Sequence, residues 1–185
     1  MKQNESIVMY VLRLAGTLLL ICAVTAGLLA GVNAITAPII AELNAAATQE
    51  AISAVLPGGF DSEITDYADA SGIVSKVYQG ANGYALEVGP GGFDNTITMM
   101  VGVDNEGKGL GISIVSHTET AGLGAVADAD TPKGIAFREQ FVGTSGDLSV
   151  TKDGGTLDAI TGATITSRAI CAGVNAALDC VAGLG

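Results

Sequence analysis

The 185-residue sequence has one histidine, three cysteines, no tryptophan and only eight lysines and arginines, against nineteen aspartates and glutamates. A formal net charge of −11 leaves almost nothing from which to build a groove that tracks phosphates, which excludes nucleic acid as a leading partner. With one histidine and no cysteine pair at ligand spacing, a zinc centre or a Ser-His-Asp hydrolase has almost no material. Neither a phosphate-binding loop ending in Gly-Lys-Ser/Thr nor a dinucleotide fingerprint in a strand-Gly-helix setting is present. The cysteines form no disulfide framework. Cys22 lies in an apolar run, and Cys171 and Cys180 are nine apart in a predicted helix, where nine steps of 100° put them on opposite faces, about 13 Å apart. Charged residues make up only 15% of the chain, too few for a disordered polymer.

What the sequence does have is a long apolar run. Residues 14–32 carry no charge, and the apolar character continues through Ile35. About 20 helical residues span a bilayer core of roughly 30 Å, so a retained membrane anchor is expected. The alternative is a cleaved signal peptide with Val32-Asn33-Ala34 as its cleavage site, but the run exceeds the usual apolar core of such peptides. A lipoprotein signal has a small residue before its cysteine, whereas Ile21 precedes Cys22. Lys2 and Arg13 precede the span and no basic residue follows before Lys76, which puts the N-terminus in the cytoplasm and the bulk of the chain outside. From residue 36 onward six basic side chains face eighteen acidic ones, a balance that keeps such a domain off anionic headgroups. Ala23, Gly27 and Gly31 recur at every fourth position. They read either as a packing face for another membrane helix or as ordinary small residues of a span.

Residues 38–56 place apolar side chains near helical spacing and end at Pro57-Gly58-Gly59, a juxtamembrane helix. Strand patterns follow over 62–67, 72–79, 83–88, 96–103 and 109–116, separated by Gly- and Asn-rich turns, the spacing of an antiparallel sheet. A short helix over 131–141, opened by Thr131-Pro132, and a last helix over 164–181 complete the pattern. The predicted architecture is α+β, with a membrane anchor over 1–35, a juxtamembrane helix over 36–60, and a domain over 61–185 built on a central antiparallel sheet flanked by helices.

Two segments carry more polar chemistry than a scaffold requires. His117-Thr118-Glu119-Thr120-Ala121-Gly122-Leu123-Gly124 leaves an apolar strand and closes on two glycines, which serve either a turn or a ligand. Asp158-Ala159-Ile160-Thr161-Gly162-Ala163-Thr164-Ile165-Thr166-Ser167 leads into the last helix with four hydroxyls in seven residues, more than one helix cap uses. A helix N-terminus flanked by small residues suits an anionic phosphate, and a threonine there could bond the phosphate or be esterified by it. On the residues alone, Thr161, Thr164, Thr166 and Ser167 compete for that role. Thr161 is expected to cap the helix, with Thr166 and Ser167 capping or facing solvent.

Thr161-Gly162-Ala163-Thr164, preceded by Asp158, resembles the flavinylation motif of the FMN-binding domain shared by the G subunit of the Rnf complex and the C subunit of the sodium-pumping NADH:quinone reductase. Glu119-Thr120-x-Gly122-Leu123-Gly124 is similar to that family's loop beside the flavin, with Ala121 where the family usually has proline. Gly91-Gly92-Phe93 resembles a glycine stretch of the same family. The short β region favours the Rnf G subunit over the longer quinone-reductase subunit. The resemblance implies FMN bound through a phosphoester to Thr164, with Thr161, Gly162, Ala163, Ile165, Thr166, Glu119, Thr120, Leu123 and Gly124 around the cofactor. It implies an electron carrier without an active site of its own, in a membrane-bound ion-translocating ferredoxin:NAD oxidoreductase. Membrane and peripheral subunits, lipid and a flavin transferase would be its partners. A non-flavin single-span scaffold subunit, its hydroxyl-rich turn only a cap, is the competing class.

Overall fold

The computed structural model describes residues 2–184, with side chains described from Ile7 onward. Helix α1 runs unbroken over Lys2–Val55, through Pro38. The apolar span and the expected juxtamembrane helix are therefore one continuous helix. Proline removes one amide donor and crowds the preceding turn, yet here the helical path continues past it. Contacts divide the chain into two compact units, Met1–Ala46 and Ala47–Gly185. In the first, large apolar side chains such as Leu18, Leu19, Leu28 and Leu29 are exposed, and this stretch is long and apolar enough to cross a membrane. The second helix that passes that test, α3 (Thr164–Ala182), is mostly buried inside the domain and is a core helix.

In the second unit the strands β1 (Ser62–Ile64), β2 (Val74–Gly80), β3 (Gly83–Val88), β4 (Thr98–Asp104) and β5 (Gly109–Ser116) form an antiparallel meander in chain order. β4 is buried on both faces because the sheet has a helix on each side. Val77, Leu86, Met99 and Val101 join Ile170, Val174 and Ala177 of α3 in one core. Tyr78, Ala85 and Met100 alternate to the opposite face and meet Ala51, Ile52, Val55 and Leu56. The expected sheet flanked by helices is what the chain builds.

Three strand boundaries move by two residues or more, two of them through turn chemistry, and α2 ends at Glu139 instead of residue 141. β2 starts at Val74 instead of residue 72 because the Asp69 carboxylate accepts bonds from the Ser71 amide and hydroxyl and the Val74 amide, tying 69–74 into a turn. Burial pushes the Asp69 carboxyl up, but these bonds together outweigh it and leave its pKa lowered. β1 is shorter than expected, ending at Ile64. β4 starts at Thr98 because residues 91–97 fold back on themselves, with Gly92 N–H bonding Asn95 O and Ile97 N–H bonding Pro90 O. Helix α2 (Pro132–Glu139) opens as expected, Thr131 accepting from the Gly134 amide with Pro132 in the first turn. Two short 3-10 turns, Gly124–Ala127 and Thr151–Asp153, have no counterpart in the sequence pattern.

Candidate functional site

The four hydroxyls at the head of α3 look alike in the sequence, and the fold gives each a different fate. Ala163 N–H bonds Ile160 O at 2.9 Å, which closes a turn with Gly162 at φ +82°, the left-handed region that suits glycine. A Cβ at Gly162 would also stand 2.9 Å from Leu123 Cδ2. This turn corrects the expectation for Thr161. The residue sits at the turn's exposed corner, and the N-cap position falls to Ala163, whose side chain makes no cap bond. Thr166 and Ser167 do not face solvent either, being 2% and 0% exposed. The Ser167 hydroxyl accepts from Ile160 N–H and donates to Ala163 O, both at 3.0 Å. The Thr166 hydroxyl donates to Glu119 Oε2. Thr164 is half-buried, and its Oγ1 accepts a hydrogen bond from Lys152 Nζ at 3.0 Å.

Glu119 joins three chain segments. Its Oε1 accepts from the Phe93 amide at 2.7 Å and more distantly from the Asp94 amide, while Oε2 takes the Thr166 hydroxyl. A carboxylate 8% exposed needs such donors, since an unpaired buried charge is costly. Room for it comes from two glycines. A Cβ at Gly92 would strike Oε1, and one at Gly124 would strike Oε2 and lie 2.6 Å from Thr166 Oγ1. His117 secures the start of the loop, its Nδ1 accepting from the Glu119 amide at 3.2 Å while Nε2 lies 3.8 Å from Asp128.

The result is a cavity of about 250 Å³ lined by Phe93, Glu119, Thr120, Leu123, Gly124, Gly162, Ala163, Thr164, Ile165 and Thr166. Two loops at least 40 residues from α3 in sequence thus meet its first turn. Thr161, the remaining candidate, lines a neighbouring cavity of about 490 Å³ together with Gly122, Lys133, Phe137 and Asp158. The Glu119 carboxylate is already engaged by protein donors, so it braces the walls instead of presenting a free acceptor. Phe93, Leu123 and Ile165, at 65%, 43% and 50% exposure, are among the few large apolar side chains that the second unit leaves open to solvent. Phe93 entered the sequence reading only through the glycine stretch before it. Lys152 was not anticipated, as nothing in the spacing links it to Thr164.

FMN fits this chemistry. The exposed Phe93, Leu123 and Ile165 offer an apolar seat for a ring system, while the uncapped first-turn amides of α3 and the Lys152 ammonium suit a phosphate at Thr164. Sequence comparison gives the class: residues 92–179, which contain the entire cavity lining, match the FMN-binding domain, and residues 1–55 match the RnfG N-terminal region. The chain is 32% identical over 176 residues to the G subunit of the ion-translocating oxidoreductase complex of Methanosarcina acetivorans, covering 89% of this chain and 91% of that one. It is 41% identical over 100 residues to the G subunit of the proton-translocating ferredoxin:NAD(+) oxidoreductase complex of Clostridium ljungdahlii, covering 52% of this chain and 51% of the relative. Against the G subunit of the ion-translocating oxidoreductase complex of Pseudomonas aeruginosa it is 37% identical over 109 residues, covering 57% and 51%. The chain spans about half the length of these two bacterial relatives and nearly all of the archaeal one. It belongs to the family of G subunits of ion-translocating oxidoreductase complexes, the Rnf G subunits.

Proposed function

We propose that this chain is the electron-transfer subunit of a membrane-bound, ion-translocating ferredoxin:NAD oxidoreductase complex, carrying FMN as a phosphoester on Thr164 Oγ1. FMN supplies the electron chemistry when bound, and the protein fixes its position and surroundings. One observation carries the attachment site: of the four hydroxyls at the head of α3, Thr164 alone is both accessible and at the cavity. Thr166 and Ser167 are sealed in internal bonds, and Thr161 opens onto the neighbouring cavity. Leu123 and Ile165 flank the ring, and Gly162 and Ala163 keep the approach to the hydroxyl unobstructed. Membrane and peripheral subunits of the complex are its partners, the 1–35 segment lies in lipid, and a flavin transferase matures the protein. The domain beyond the anchor is extracytoplasmic, in accord with Lys2 and Arg13 preceding the span.

Thr164→Val retains shape and β-branching but removes the oxygen. Produced with a flavin transferase, the variant should show no in-gel flavin fluorescence after denaturation while keeping the wild-type fold. Flavin that survives denaturation in this variant, or peptide mass spectrometry that locates it on Thr161 or Thr166, overturns the assignment.

A further inference from the structure

We propose that Lys152 is a positioning residue for attachment at Thr164, holding the acceptor hydroxyl and then neutralising the diester it becomes; this rests on Thr164 being the acceptor. Its ammonium donates to Thr164 Oγ1 at 3.0 Å, while none of the residues lining the cavity is basic. A solvated lysine would gain little from such a bond, but Lys152 projects from a turn that is fixed on two sides. The 3-10 turn Thr151–Asp153 is anchored through Val150 and Leu157, both buried, by the Thr151 N–H to Leu157 O bond at 2.8 Å. Arg168, one helical turn beyond Thr164, binds both carboxylate oxygens of Asp153 and clasps the turn to α3. The guanidinium's hydrogen bonds hold the Asp153 carboxyl below its usual range. With Asp153 occupied by Arg168, Lys152 is left in no ion pair among the described residues, and its Nζ bonds Thr164 instead.

FMN alone has no leaving group at phosphorus better than water, so the donor class is an activated FMN anhydride, the flavin dinucleotide FAD. Thr164 Oγ1 forms a bond to the flavin-side phosphorus, the pyrophosphate P–O bond breaks, and AMP leaves with the electron pair. The hydroxyl proton passes to a base of the transferase. By occupying one lone pair of Oγ1, the Lys152 ammonium fixes the hydroxyl's direction, leaving the other lone pair for attack and the proton for removal. The diester adds a negative charge to a segment in which six basic side chains already face eighteen acidic ones, and the same ammonium pairs with it.

The test uses the purified full-length apo protein in detergent with FAD and a flavin transferase, with covalent incorporation followed by intact mass. Lys152→Met should lower kcat for incorporation by about tenfold, equivalent to about 1.4 kcal/mol, with KM for the acceptor protein unchanged. Lys152→Arg, which keeps the charge, should restore the rate to within about threefold of wild type. Because Lys152 is exposed, both variants should melt with the wild type. An unchanged rate in Lys152→Met, a loss confined to KM, a shifted melting temperature, or no rescue by arginine overturns the role of Lys152. Incorporation into Thr164→Val under the same conditions overturns the acceptor assignment itself, so the two failures are distinct.

Discussion

Thr166→Val isolates the bond that closes the cavity. Valine fills nearly the volume of threonine, so the substitution removes one donor from Glu119 Oε2 and leaves no void; Oε1 keeps the Phe93 and Asp94 amides. Thr166 is 2% exposed and Glu119 8%, which limits replacement of the donor by bulk water. Hydrogen bonds to charged groups contribute about 1.5–3 kcal/mol, so a loss of about 2 kcal/mol is expected. For a folded unit extending over Ala47–Gly185 that corresponds to a melting temperature lower by about 8 °C. Near-UV circular dichroism of the full-length protein in detergent reports this transition, since Tyr78 is buried against Phe60 with ring centroids 4.9 Å apart. The cycle with Glu119→Gln separates the bond from generic packing, and the two substitutions should be less than additive by at least about 1 kcal/mol. Additive losses within about 0.5 kcal/mol, or a Thr166→Val protein that melts with the wild type, would refute the bracing role of Glu119.

Leu123→Ala removes one apolar wall of the cavity, and the loaded protein should show a shifted flavin absorbance or reduction potential with the cofactor retained; an unchanged spectrum and potential would place the ring elsewhere. Burial pushes the Cys171 thiol from 9.0 up to about 11. The unfolded chain therefore releases this proton at lower pH than the folded one, and the contribution to stability is intact below about 9 and lost as pH rises toward about 11. Urea midpoints should fall over that interval in wild type but less in Cys171→Ala, and maleimide at neutral pH should reach Cys171 only after denaturation. Ser62 is exposed at the start of β1. A membrane-impermeant thiol reagent should label Ser62→Cys on intact cells, and labelling only after lysis would reverse the proposed orientation.

The sheet was legible because its code is local. β3 and β5 match their sequence patterns end to end, since Gly83 and Gly109 mark one boundary and apolar alternation the rest. Where side chains compete with the ladder the pattern misleads, as at Asp69, whose carboxylate recruits two amides and a hydroxyl that strand spacing does not register. Pro38 reads as the opening of a new helix, but α1 continues through it. The site was half legible for a related reason. Small residues and hydroxyls before an apolar helical run identify the segment, but four hydroxyls of equal chemistry differ only in burial, which the whole fold decides. The Glu119 to Thr166 bond joins residues 47 apart, and Lys152 reaches Thr164 through a 3-10 turn with no sequence periodicity.

The shape of the cavity bears on why a covalent bond would be used at all. Sites that hold a drug-sized ligand by contacts alone enclose about 300–1,000 Å³ and bury most of its surface. At about 250 Å³, rimmed by side chains that remain 43–65% exposed, this cavity would cover only part of a flavin. Long-range electrostatics add nothing to retention, because the phosphate is anionic and the chain beyond residue 36 carries three acidic side chains for each basic one. Deepening the pocket would strengthen binding but would bury the ring that neighbouring redox partners have to approach. A phosphoester at Thr164, as proposed, removes the conflict, since retention no longer depends on enclosure. The walls then need only orient the ring, which is a task suited to three apolar side chains on segments braced by a single buried carboxylate.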